Sequence, residues 1–145
     1  MTGPVFVDTN VLVYTRDAAE AEKQARASAW MRHLWGSRRG RLSYQVLGEF
    51  YVTVTCKLKP GLAHEEARKD LRALMVWRPQ TIDSEVLERA WILESRHSLS
   101  FWDALVVGAA QQSACAYLLT EDLQDGQSFD GLVVVNPFTH APDSS

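Results

Sequence analysis

The chain has 145 residues, 46% of them hydrophobic, and carries 15 Lys and Arg against 18 Asp and Glu for a formal net charge of -3. That length and apolar content suit one globular domain with a buried core; no run approaches the roughly 18 apolar residues of a membrane span, and the start "MTGPVFVDTN" lacks the basic region of a secretion signal, so a cytoplasmic protein is expected. Cys56 and Cys115 form no C-x-x-C pair, and His33, His64, His97 and His140 show no ligand spacing, which argues against zinc and disulfides.

In chain order, Val5-Phe6-Val7 is a short apolar run stopped by "DTN", a buried strand ending in a turn or helix cap with Asp8 at its carboxyl end. From Ala18 to Trp35 the positions Ala27, Trp30, Met31, Leu34 and Trp35 make a helical stripe, with Gly36 placed to stop it. After "SRRGR", Leu42 to Leu58 reads both ways: Phe50, Val52, Val54 and Cys56 alternate as in a strand, while Leu47, Phe50, Tyr51, Val54 and Leu58 form a helical stripe. Length favours the helix. On it Glu49 lies nearly opposite the stripe at roughly 100° per residue and need not be buried. Pro60-Gly61 ends the element.

"HEEARKDLRALMVW" and "SEVLERAWILESR" read as two more amphipathic helices, the second capped by Ser84. "SFWDALVVGAA" then opens a largely apolar helix at Ser100, and Asp103 three residues on fits a capping box. Tyr117 to Thr120 is a short strand, "EDLQDGQ" a turn, and Leu132 to Val135 a last strand. Helices alternating with short, uniformly apolar strands predict an α/β fold, a central mostly parallel β-sheet flanked by helices on both faces. One domain over 1–138 and a flexible tail over 139–145 are expected.

Asp8 and Asp122 fall at strand ends, Asp103 at a helix start and Glu49 off its stripe. Each alone suits a cap, a turn or a solvated position. Adjacent parallel strands, however, bring Asp8 and Asp122 to one sheet edge, where ligands of such sheets collect. Four carboxylates gathered there would raise one another's pKa unless divalent cations neutralised them; oxygen-only ligation points to Mg²⁺ or Mn²⁺, and such sites serve phosphodiester hydrolysis.

"VFVDTNVLVY", "SYQVLGEFYVT", "SFWDALVVGAA" and "LLTEDLQDG", in this order and at these intervals, resemble the four acidic motifs of the PIN-domain family, in particular the VapC-type toxins of bacteria and archaea. The resemblance runs from about Val5 to "VVVNPF". It implies a PIN fold, Mg²⁺- or Mn²⁺-dependent endoribonuclease activity, an RNA substrate, a toxin role, a cognate antitoxin and a homodimer. Carried over, the catalytic and metal-binding acids are Asp8, Glu49, Asp103 and Asp122, with Asp8 and Asp103 as core ligands. Asn10 and Thr120 fall on small polar supporting positions, and Asp125 is a fifth acid beside Gly126, suited either to a second metal or to the turn.

Two other readings remain open: a PIN nuclease of RNA processing or decay, and a non-catalytic regulator that binds RNA or protein. Charge is split along the chain, residues 1–78 holding 13 Lys/Arg and 8 Asp/Glu and residues 79–145 holding 2 and 10. Arg16, Arg38, Arg39 and Arg41 in the basic half are candidates for the RNA backbone or for plain solvated surface. Trp30, Trp35, Trp91 and Trp102 are expected in the core or at interfaces rather than at the active site.

Overall fold

A computed structural model describes residues 2–142. Its elements are β1 (Val5–Val7), α1 (Thr9–Tyr14), α2 (Ala21–Ser37), β2 (Gly40–Arg41), α3 (Tyr44–Val52), a π-helical turn (Thr53–Lys57), α4 (His64–Leu74), a 3-10 turn (Met75–Trp77), α5 (Ser84–His97), α6 (Phe101–Gln112), β3 (Tyr117–Leu119), β4 (Ser128–Phe129) and β5 (Leu132–Val135). The five strands form one sheet in the order β2-β1-β3-β5-β4, with the six helices around it. Neighbouring strands run parallel except at β4, which returns antiparallel to β5 as an edge hairpin.

Burial explains why the strands read as continuous apolar runs. Val5, Phe6, Val7, Leu118, Leu119 and Val134 are fully buried, so both faces of the sheet centre are covered. The register Val5↔Tyr117 and Val7↔Leu119 carries β1 and β3 to the same level, and the Asp8 amide continues the ladder by donating to the Leu119 carbonyl (3.1 Å). That pairing sets Asp8 and Thr120 side by side at one edge.

Three boundaries differ from the sequence reading, each for a local reason. α2 runs through Gly36 and ends at Arg38, whose left-handed backbone (φ 58°) serves as the C-cap, so Gly36 is not the stop. α5 is capped by Asp83, which accepts from the Val86 amide (3.0 Å), rather than by Ser84. The segment read as one helix over Leu42–Leu58 begins at Tyr44 under a Ser43 cap, and its β-branched stretch Thr53–Lys57 winds as a π turn instead of an α-helix.

Helix α6 is buried along Ala104–Ala110, all small or aliphatic residues. At Gly108 a Cβ would lie 3.3 Å from the Val86 carbonyl oxygen, so the missing side chain lets α5 and α6 approach closely. Trp30 is fully buried and satisfies its indole N–H on the carbonyls of Pro137 (3.2 Å) and His140 (2.9 Å). The expected tail from residue 139 thus starts with a segment held against the domain, and residues 143–145 lie outside the described residues.

Candidate active site

Where β1 and β3 end, a cleft of about 670 Å³ opens, and its walls include Asp8, Glu49, Asp103 and Asp122. These four acids arrive from four separate segments: the β1–α1 junction, α3, the first turn of α6 and the loop after β3. The fold therefore brings together the quartet that the sequence spacing suggested.

Asp8 is the most constrained. It is 6% exposed, its Oδ1 accepts from the Thr9 amide (2.7 Å) as the cap of α1, and its Oδ2 accepts from the Thr120 hydroxyl (2.9 Å). Burial pushes its carboxyl up from 3.8 to about 7; the Thr9 and Thr120 hydrogen bonds oppose that rise, and the charges of Asp122 and Glu49 add to it. Asp122 is also raised, first by burial and then by Glu121 and Asp103, against a lowering hydrogen bond from Asn10.

Thr120 and Asn10 tie these acids into one frame. Thr120 is fully buried; its hydroxyl donates to Asp8 and accepts from the Asp122 amide (3.1 Å) and the Asn10 side-chain NH₂ (2.9 Å). Asn10 also donates to Asp122 Oδ2 (3.1 Å) and accepts from the Glu121 amide (3.3 Å). Both side chains, expected from the sequence at supporting positions, hydrogen-bond to carboxylates that line the cleft.

Glu49 Oε1 accepts from the Thr9 hydroxyl (2.8 Å), so α1 links Asp8 to Glu49 through neighbouring residues. Asp103 sits under its cap, its amide donating to Ser100 Oγ (3.1 Å), while its carboxylate makes no hydrogen bond among the described residues. The capping role therefore uses the backbone and leaves both oxygens to the cleft.

Asp125 lies elsewhere. Its two oxygens take the Asn136 amide (2.8 Å) and the His140 ring (2.8 Å), which hold its carboxyl below the usual range, and it does not line the cleft. Of the arginines singled out, Arg16 is ion-paired with Asp70 (2.7 Å) and the half-buried Arg39 donates through Nε to the Gly3 carbonyl (2.9 Å); neither lines the cleft. Arg38 and Arg41 line a different cavity.

The sequence reading misplaced Trp102, which lines the acidic cleft and is 61% exposed. It also missed Lys57, Asp17, Gln45 and Tyr14 in the same walls. Trp102 is next to Asp103, so its neighbourhood was readable; Lys57 reaches the cleft through the π turn, which shifts the helix phase and escapes a search at 100° per residue.

Among the described residues, the lining holds five carboxylates, one lysine and no His or Cys. Such a donor set fits a hard divalent cation bound by oxygen, and Asp8 is costly to charge, first because it is buried and then because Asp122 and Glu49 lie near. Among the described residues, no three acidic, His or Cys side chains close on a single point to form a ready cage. The acids instead share the cleft wall.

A family model described as "PIN domain" matches residues 5–124. A chain of a toxin-antitoxin complex from Klebsiella pneumoniae has a similar fold, with a TM-score of 0.64 at 21% identity over 92% of this chain and 97% of that one. VapC20 from Mycobacterium tuberculosis, a toxin that cleaves the sarcin-ricin loop, matches with a TM-score of 0.57 at 24% identity over 79% of this chain and 86% of that one. No curated protein matches this chain.

Proposed function

The chain belongs to the PIN domain family, and on that premise we propose that it is a divalent-metal-dependent endoribonuclease, the toxin of a toxin-antitoxin pair. The observation that carries the reading is the convergence of Asp8, Glu49, Asp103 and Asp122 on one cleft, with Asp8 raised to about 7. The likeness to VapC20 supports the finer role, and the likeness to a chain of the Klebsiella pneumoniae complex supports an antitoxin partner. RNA is the substrate, and a second copy of this chain completes the set of partners.

In this reading Asp8, Glu49, Asp103 and Asp122 hold Mg²⁺, with Mn²⁺ as a substitute. The bound cation supplies Lewis-acid activation of water and neutralises charge on the scissile phosphate. The chain's own residues do the positioning. Thr9 and Thr120 fix the two oxygens of Asp8, and Thr9 also fixes Glu49. Asn10 fixes Asp122, and the Ser100 cap fixes the backbone that carries Asp103.

Lys57 is the one cation in the lining among the described residues and pairs with a phosphate oxygen of the RNA. Exposed Trp102 offers a flat face on which a base beside the scissile bond stacks. Attack by water rather than by the RNA's own 2′-hydroxyl leaves 5′-phosphate and 3′-hydroxyl ends.

The test is induced expression of the wild type and of Asp103→Asn, with cellular RNA followed alongside growth. Growth arrest with RNA cleavage, absent in the variant and relieved by a co-expressed antitoxin, supports the toxin. RNA cleavage without arrest favours processing or decay; arrest that survives Asp103→Asn favours a non-catalytic regulator.

A further inference from the structure

A second cavity of about 670 Å³ lies at the β2 edge of the sheet and shares no lining residue with the acidic cleft. Its walls include Trp35, Arg38, Arg41, Trp77, Arg78 and Gln80. Nothing in the nuclease chemistry uses it.

Its charge is one-sided. Among the described residues three arginines line it and no carboxylate does, whereas Arg16, Arg68, Arg72 and Arg96 are all ion-paired elsewhere. Arg41 gives one nitrogen to the Gly40 carbonyl (2.8 Å) and the Arg38 carbonyl (3.3 Å), which fixes its guanidinium without cancelling its charge. Arg38 (φ 58°) and Arg78 (φ 55°) both adopt the left-handed backbone that favours glycine, and both do so beside this cavity.

Its aromatic wall is a packed pair of indoles. The Trp35 and Trp77 rings lie 4.9 Å apart at 47°, and Trp35 stays 39% exposed although its helix buries Trp30, Met31 and Leu34. Trp77 rests on β2 so closely that a Cβ at Gly40 would fall 2.2 Å from its ring. Glycine at that position lets the strand backbone serve as a floor for the indole.

Its position relates it to the acids. The parallel register pairs Val5 with Gly40 and Phe6 with Arg41, so continuing it sets Ser43 level with Asp8. Leu42 lines this cavity, Gln45 lines the acidic cleft, and exposed Tyr44 falls between them in the sequence.

We infer that the cavity is an exosite for single-stranded RNA, stacking a base on Trp35 and pairing backbone phosphates with Arg38, Arg41 and Arg78 while the strand continues over Tyr44 into the acidic cleft. The combination of aromatic platform and cationic wall is that of sequence-tolerant single-strand binding. The identity of the ligand rests on the nuclease reading; the site's geometry does not.

The test measures binding of a fluorescein-labelled single-stranded RNA oligonucleotide by anisotropy, over a range of salt, in an Asp103→Asn background that prevents cutting. Arg38→Gln with Arg78→Gln should weaken binding about tenfold or more and flatten the log-log salt slope by roughly 1.4, at about 0.7 for each phosphate that is no longer neutralised. Trp35→Leu should weaken binding at least fivefold with the slope unchanged. All three substitutions fall on exposed residues, and unchanged thermal unfolding confirms that the fold is intact. With the acids restored, the double arginine variant should raise KM on long RNA and leave kcat unchanged.

Unchanged affinity and slope in the arginine variant would overturn the exosite while RNA cutting by the parent enzyme upheld the nuclease. Arginine-dependent binding by a parent that never cuts would uphold the exosite and sink the nuclease reading. Unaltered RNA binding, with an acidic peptide bound through Arg38 and Arg78 instead, would reassign the cavity to a protein ligand and overturn the proposal.

Discussion

Replacing Asp8 by Asn should stabilise the metal-free protein at alkaline pH, although it removes a residue of the proposed active site. Burial raises the Asp8 carboxyl from 3.8 to about 7. A group raised on folding contributes stability that is whole below its unfolded value and is lost as pH rises through the folded one. At pH 8 the ionised side chain therefore costs at most about 4 kcal/mol, from roughly 3 pKa units at about 1.4 kcal/mol each.

Asparagine keeps the oxygen that caps Thr9 but turns an NH₂ toward the Thr120 hydroxyl and the Asn10 amide. Thr120 already accepts two donors, so about one hydrogen bond is lost, worth roughly 1 kcal/mol. The net gain is about 3 kcal/mol at pH 8. At pH 5 the charge penalty has fallen to about 2 kcal/mol and the gain to about 1. Urea unfolding in EDTA at both pH values reads the difference directly. A variant equal to or weaker than the wild type at pH 8, or a difference that does not change with pH, would refute the claim that Asp8 is held charged at a cost.

Other perturbations follow from the same geometry. Mg²⁺ should raise the unfolding temperature of the wild type and leave that of Asp8→Asn nearly unchanged, since binding to the folded state alone stabilises it; equal shifts would place the ion elsewhere. Ser100→Ala removes the cap of α6 and should cost about 1 kcal/mol in denaturant unfolding while lowering kcat, because Asp103 loses its anchored turn. Lys57→Met should raise KM for RNA about tenfold, as expected for removing one charge-assisted hydrogen bond of roughly 1.4 kcal/mol or more, with Mg²⁺ affinity not reduced. Gly40→Ala would drive a Cβ into the Trp77 ring and should cost about 1–3 kcal/mol, seen as a lower unfolding temperature with altered tryptophan fluorescence.

What the sequence disclosed were the parts set by local pattern. The runs Val5–Val7, Tyr117–Leu119 and Leu132–Val135 are buried enough to be uniformly apolar, and the cap at Ser100 is a local hydrogen bond three residues long. Asp8 and Asp122 were legible because strand ends share a sheet edge. β2 and β4 escaped because a strand of two residues has no periodicity to read; both exist through pairing with β1 and β5. Arg38 replaced Gly36 as the helix stop because tertiary pairing of the next residues into β2 decides where the chain must turn. Trp102 was expected in the core or an interface from helical spacing, yet the first turn of α6 protrudes into the cleft while its later turns are buried. The π turn that brings Lys57 to the acids likewise depends on packing rather than on spacing.

The central claim, hydrolysis of RNA by the acidic cleft, is tested most directly by sequencing the ends that purified protein leaves on cellular RNA. The wild type and the variants Asp8→Asn and Asp103→Asn would be compared with Mg²⁺ and with EDTA. Discrete cuts with 5′-phosphate and 3′-hydroxyl ends that need Mg²⁺ and vanish in both variants are expected. Cuts that persist in the variants or in EDTA, or that end in 2′,3′-cyclic phosphates, would contradict that claim.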